Sequence, residues 1–319
     1  MKITSKRRTS GLVAVAAASA LFLAACGNGD GDDNGSEPGE NGEAENGEDE
    51  NGEGAGGTVT LGILPAWTDG LSMGYLWQEM LGDQGYDVVI EEINEAALLY
   101  TAVADGDYDV YPSAWPEVTH ANYMEQYGDD LEDLGAYYQG AVLTLAVPEY
   151  SAINSIAELP DHADALDNRV VGIEPGAGHM GVTADSVFPT YGLDDDFTLV
   201  ESSTTAMLTE LQTAIDNEEE IVVTLWRPFW ANAEFPVRDL EDPEGALGEP
   251  ETLNFIANSE FSSEFPDVAA WMGNFTLDDE QYAELEDLIV NEYEGNEAEG
   301  ARVWIENNQD LVDSVFNGS

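Results

Sequence analysis

Val171-Gly172-Ile173-Glu174-Pro175-Gly176-Ala177-Gly178-His179-Met180 is the stretch that decides the fold class. An apolar, β-branched run enters a turn rich in glycine and opens at once into helix-compatible sequence. The same strand-to-helix alternation recurs along the chain. Strand-like runs cover Thr58–Leu64, Asp87–Ile93, Val142–Val147, Val170–Ile173 and Ile221–Trp226. Helix-like segments cover Leu71–Leu81, Glu95–Ala104, Thr204–Ile215 and Asp278–Tyr293. In the segment from Thr204, the residues Met207, Leu208, Leu211 and Ile215 recur at three- and four-residue spacing and build one apolar face. The pattern predicts α/β architecture. From Thr58 onward the chain is longer than one compact lobe usually holds. After about Asp242 it reads as mostly helical, with Trp271, Tyr282, Leu285 and Trp304 as core residues among acids.

The glycine turn also has a chemistry. Backbone N–H groups at a helix N-terminus point outward and bind anions, helped by the helix dipole. The turn fits neither GxGxxG nor GxxxxGK[ST], which argues against a nucleotide. Three further segments each place a tryptophan at the end of an expected strand: Gly62 to Gly70 with Trp67, Ser113 to His120 with Trp115, and Val223 to Trp230 with Trp226. In α/β sheets ligands sit beyond the carboxyl ends of the strands. A lone tryptophan usually belongs to a core; three at corresponding strand ends predict one shared pocket. Indole faces at one end and free amides at the other suit a ligand with a soft cation and a small anion. A trimethylammonium group has no N–H to donate. Indole quadrupoles attract it with about 0.5–2 kcal/mol per good contact, whereas sodium would lose strongly held water for little return.

The N-terminus gives an address. Lys2, Lys6, Arg7 and Arg8 precede an apolar run, Leu12 to Ala25, that is too short to span a bilayer. The run ends in Leu23-Ala24-Ala25-Cys26, which resembles a bacterial lipobox whose cysteine is lipidated; an uncleaved anchor with an incidental cysteine is the other reading. Residues 1–26 are therefore expected to be a lipoprotein signal peptide. Residues 27–57, almost wholly Gly, Asn, Asp and Glu, are expected to be a disordered acidic tether rather than a metal-binding tract. Cys26 is the only cysteine, so the exported part has no disulfide. With the signal gone, Arg169, Arg227, Arg238 and Arg302 stand against 66 acids. Such a charge excludes nucleic acid as a partner.

Together with Ser202–Met207 and Leu240–Gly248, these segments resemble the glycine betaine/proline betaine-binding proteins of ABC importers, over nearly all of the chain from Thr58. The resemblance implies a two-lobed, periplasmic-binding-protein-like α/β fold of type II with the ligand cleft between lobes. Lobe 1 is expected to comprise 58–147 plus 247–319, and lobe 2 to comprise 148–246. It further implies that Trp67, Trp115 and Trp226 form an aromatic cage, that the amides of Gly178 and His179 hold the betaine carboxylate, and that His120 contacts some ligands. The partners implied are a betaine, an ABC permease with its ATPase, and the membrane through a lipid anchor, without cofactor or metal. Three positions depart from the family pattern, which often has glycine at Leu225, histidine at Phe229 and an aliphatic residue at His179. Leu225 could narrow the site, and His179 could either meet the carboxylate or face solvent.

Two rival functions share some of these sequence features. Asp69 and Glu117 lie beside tryptophans, as the carboxylates of a glycoside hydrolase do, but proximity to tryptophan is expected by chance in so acidic a chain. The sequence has no cysteine nucleophile in its exported part and no metal-spaced histidine pair, so an enzyme is not expected. A receptor for choline, carnitine, another quaternary amine or a sugar keeps the fold and changes the ligand. The acidic surface repels itself in dilute buffer, and at molar salt the Debye length falls to about 3 Å. The melting temperature should therefore rise from dilute buffer to molar NaCl, and an unchanged value would count against a protein adapted to brine.

Overall fold

The computed structural model describes residues 56–317. The signal segment, Cys26 and most of the acidic stretch lie outside the described residues. The last two residues of that stretch are already tied to the fold. Gly56 donates its amide to the Gly85 carbonyl (3.1 Å), and the Gly57 carbonyl accepts from Asp87 (2.9 Å).

Nine strands are described: β1 Thr58–Ile63, β2 Asp87–Glu92, β3 Val110–Ala114, β4 Leu131–Pro148, β5 Arg169–Val171, β6 Thr198–Val200, β7 Val223–Arg227, β8 Val237–Asp239 and β9 Glu251–Asn258. They follow the order β2-β1-β3-β9-β4-β7-β5-β6, with β8 beside β4. One half contains the parallel strands β2, β1 and β3, to which β9 adds antiparallel. The other contains the parallel strands β7, β5 and β6. Helices follow the parallel strands, among them Thr68–Asp83 after β1, Ala96–Ala104 after β2 and Thr204–Asn217 after β6. In β1 the alternate residues Val59, Leu61 and Ile63 are wholly buried, as a strand covered by helices requires.

β4 is eighteen residues long and serves both halves. Leu131–Ala141 pairs with β9, and Val142–Ala146 pairs with β7. The strand expected from Val142 thus begins at Leu131. Its first part has three register shifts against β9, and extra residues of this kind break period-two alternation. Gly140 takes a φ of 86°, in the left-handed region that favours glycine, one residue before the last β9 pair.

The C-terminal third is mostly helical as expected, with one strand, β9, that the sequence reading did not mark. Leu253, Phe255, Ile256 and Ala257 are fully buried, because this strand lies in the middle of the sheet and both its faces are covered. The helices downstream do form. Asp279–Asp287 starts at Asp278 with a reciprocal cap: Asp278 accepts from the Gln281 amide (2.9 Å), and Gln281 accepts from the Asp278 amide (3.1 Å). The expected single helix to Tyr293 instead passes into a π-helical turn at Leu288–Glu292. Trp304 and Tyr282 are buried in the core, while Trp271 is half-buried and packs edge-on against Phe316.

The four arginines are all engaged. Arg169 meets Glu210, Arg227 meets Asp239 and Arg302 meets Glu79. Arg238 donates to the carbonyls of Ser151 and Ile153.

Candidate ligand-binding cleft

The carboxyl ends of β1, β3, β5 and β7 face one cavity of about 350 Å³, including its open mouth. Trp67, Trp115, Trp226, His120, Gly178 and His179 all line it. Six residues singled out in four separate stretches of sequence thus share one space.

Each indole is aimed by a different device. Trp67 precedes the first helical residue of Thr68–Asp83. Its Nε1–H donates to Glu174 (3.3 Å), and its ring lies parallel to that of His120 at 6.0 Å. The Nε1–H of Trp115 donates to Asp69 (3.0 Å). Trp226 stacks on Phe229 with centroids 4.1 Å apart. Phe229 therefore backs the cage from behind rather than lining it. Leu225 points the other way along β7 and is wholly buried, so the residue that does narrow the cavity is Leu143 on β4.

His120 is almost completely buried. Its Nδ1 accepts from the Trp115 backbone amide (3.1 Å) and from the Tyr100 hydroxyl (3.0 Å), which assigns the ring proton to Nε2. Burial lowers its pKa to about 3, so the ring is neutral at ordinary pH. The loop carrying Trp115 and His120 is fastened to β9 by Glu251. This carboxylate accepts from the amides of Val118 (2.7 Å) and Thr119 (3.0 Å) and from the Thr119 hydroxyl.

His179 does not face solvent. It is 2% exposed, lines the cavity, and among the described residues neither of its ring nitrogens has a hydrogen-bond partner. Burial holds its pKa down to about 3, which makes it a neutral imidazole with one donor and one acceptor unused. An unmet buried polar group costs about 1–3 kcal/mol. Beside it, Gly178 and His179 are the first two residues of the helix Gly178–Val182, so their amides precede the first intrahelical bond.

Several contributors escaped the sequence reading. Asp69, set aside as an acid near tryptophan by chance, lines the cavity at 3% exposure. It sits in the first turn of Thr68–Asp83 and accepts from Ser113 (2.7 Å) as well as Trp115. Burial raises its pKa, and those two donors pull it back. Glu117 is not beside it; it is bonded to Thr252 away from the cavity. Glu174 joins the two halves, holding Trp67 while accepting from the amide (2.8 Å) and hydroxyl (2.9 Å) of Thr204 at the start of Thr204–Asn217. Tyr123 also crosses, donating to the Gly176 carbonyl (2.8 Å). Among the described residues no cluster of His, Cys, Asp and Glu is placed to hold a metal.

Two α/β halves closing on an aromatic cleft define a substrate-binding protein of the periplasmic-binding-protein type. The chain belongs to the family described as the substrate binding domain of ABC-type glycine betaine transport systems, whose model matches residues 57–307. It is similar to the glycine betaine/carnitine transport binding protein GbuC of Listeria monocytogenes, at 35% identity over 159 residues. That alignment covers 50% of this chain and 52% of GbuC, so the chain spans about half the length of this curated relative. Among solved structures, ProX from Borrelia burgdorferi superposes with a TM-score of 0.75 at 29% identity, covering 80% of this chain and 95% of that one. Lactococcal OpuAC, solved closed with glycine betaine, gives a TM-score of 0.75 at 29% identity, covering 81% and 99%.

Gly178 is a point of close approach between the two halves. A Cβ there would lie 1.7 Å from the Thr119 carbonyl oxygen and 2.6 Å from its carbon, a clash with backbone that no side-chain rotation relieves. Gly178→Ala should therefore hold the cleft open. Overpacking costs of about 1–3 kcal/mol correspond to a loss of roughly five- to 150-fold in ligand affinity. The melting temperature without ligand should change little, because opening relieves the clash. Calorimetry and thermal melts on the same variant check both halves of this expectation.

Proposed function

We propose that this protein captures glycine betaine outside the cell and delivers it to an ABC permease and its ATPase. The observation that carries the reading is the convergence of three indoles on a cavity whose other wall holds the amides of Gly178 and His179. In this reading Trp67, Trp115 and Trp226 enclose the trimethylammonium head. Asp69, set behind Trp115, adds a negative field without offering a bare carboxylate to sodium, since its oxygen already accepts from the indole. The ligand's carboxylate meets the amides of Gly178 and His179, and the unused donor of the His179 ring completes its coordination. His120 supports Trp67 and offers Nε2–H to ligands that reach it.

One observation favours a second ligand. Asp69 is an acid lining a cage for a cation, and that would also serve choline, which has no carboxylate of its own. Titration with glycine betaine, proline betaine, carnitine, choline and ectoine separates the readings. Betaines should bind more tightly than choline, and the reverse order would favour the second reading.

We further propose that the lobes close about β4. The sequence sets the boundaries at 147/148 and 246/247. The change of partner from β9 to β7 supports a first boundary slightly earlier, between Ala141 and Val142. Cys26 is proposed as the lipid anchor because Leu23-Ala24-Ala25-Cys26, after a short apolar run, resembles a lipobox. A brine habitat fits the charge: with the four arginines among the described residues already engaged, the remaining acids depend on salt for screening.

Two variants test these assignments. Trp226→Ala should weaken glycine betaine binding at least tenfold, because it removes a desolvated contact worth up to about 2 kcal/mol and opens the cage to water. Trp226→Phe should be milder. Trp271→Ala should lower stability and leave binding intact, since Trp271 packs against Phe316 and Tyr86. Equal binding by parent and Trp226→Ala at molar NaCl would remove Trp226 from the cage. Cys26→Ser should release the protein from membranes with binding unchanged; retention after a high-salt wash would contradict the anchor.

A further inference from the structure

Glu286 is a buried acid that the ligand site does not touch. It lies near the end of the helix Asp279–Asp287 and is 4% exposed. From one side it accepts a hydrogen bond from the Thr68 hydroxyl. Thr68 stands between Trp67 and Asp69, the first an indole of the cage and the second the acid that holds another. From the other side Trp230 lines the same groove as this carboxyl group. Trp230 follows β7 and packs edge-on against Phe229 (5.8 Å), which in turn stacks on Trp226. A groove between these elements is lined by Pro228, Phe229 and Trp230 on one side and by Tyr282, Glu286 and Asp287 on the other.

We propose that Glu286 is a positioning residue for closure, tying the Thr68–Asp69 turn of one half to the Trp226–Trp230 turn of the other. Separation of the halves would widen the groove and admit water to the carboxyl group. The inference rests on the ligand reading above only in using a quaternary amine to drive closure.

The link carries a proton. Burial, reinforced by the nearby charge of Asp69, pushes the pKa of Glu286 up to about 8, although Thr68 and Trp230 pull the other way. An exposed glutamate has a pKa near 4.5. Closing therefore raises the proton affinity, and between those two values it takes up a proton. A ligand that closes the cleft must bind more tightly at low pH, and its affinity must fall as pH rises toward 8. The other groups facing Glu286 are Asp69 on Thr68–Asp83, Tyr137 on β4 and Tyr282 on its own helix. At the groove stand Arg227, Asp279, Glu284 and Asp287. Both tyrosines are held well above their ordinary range and stay neutral. Burial raises Asp69 as well, against the pull of its donors Trp115 and Ser113.

The test is calorimetric titration of glycine betaine into the parent and Glu286→Gln at pH 6, 7 and 8.5 in molar NaCl. Each titration is repeated in two buffers of different ionisation enthalpy. Glutamine keeps the acceptor oxygen and cannot titrate. The parent should lose more than about tenfold in affinity across this range and take up a proton at pH 7. Glu286→Gln should show a flat profile near the parent's pH 6 value. Parallel profiles for the two proteins would overturn the proposal. Should the variant fail to fold, absence of proton uptake by the parent at pH 7 would overturn it alone. A parent that binds no betaine at any pH counts instead against the ligand reading, and the same profile taken with choline then decides the closure residue.

Discussion

A methylated ammonium presents no hydrogen to donate, so a site built for one depends on how firmly its aromatic faces are aimed. The three indoles have little freedom here. Trp67 is fixed at its N–H by Glu174 and across its face by His120, and Trp115 is fixed at its N–H by Asp69. Trp226 is fixed by the ring of Phe229. His120 adds a second restraint on Trp115 by accepting its backbone amide. With the halves together the rings are held by these partners, so little side-chain freedom remains to be lost there.

The chain's acidity is used inside as well as outside. Glu174 caps the start of Thr204–Asn217, Glu251 fastens the Trp115–His120 loop, and Asp242 accepts from the amides of Ala246 and Leu247 in the return toward β9. Each carboxylate takes two or more N–H or O–H groups that a turn would otherwise leave unmet. Such bonds need no basic partner, which suits a sequence with four cations after its first twenty-six residues.

Much of this was legible in the sequence, for reasons that differ by element. β1, β7 and the helix Thr204–Asn217 declare themselves through local periodicity, and the tryptophans at strand ends stand out because a fold with parallel strands gathers those ends together. β9 escaped because a strand covered on both faces lacks alternation and its neighbours are helical. β4 was seen only in its second part because register shifts and glycines interrupt the first. Asp69 was the costliest omission. Among so many acids nothing local marks one as buried, and its partners Ser113 and Trp115 are more than forty residues away. The loneliness of the His179 ring was equally hidden, since a lack of partners is a property of the packed structure alone.

The shared strand β4 has a consequence for how the molecule can be taken apart. Since one unbroken strand supplies an edge to β9 and then to β7, neither half owns a complete sheet. Cutting the gene at this point would leave each fragment with an unsatisfied strand edge, the feature that drives chains to pair with strangers. Swapping halves between relatives would meet the same obstacle unless the whole of β4 travelled with one of them. The strand proposed above as the hinge thus also makes the two halves inseparable as units of inheritance.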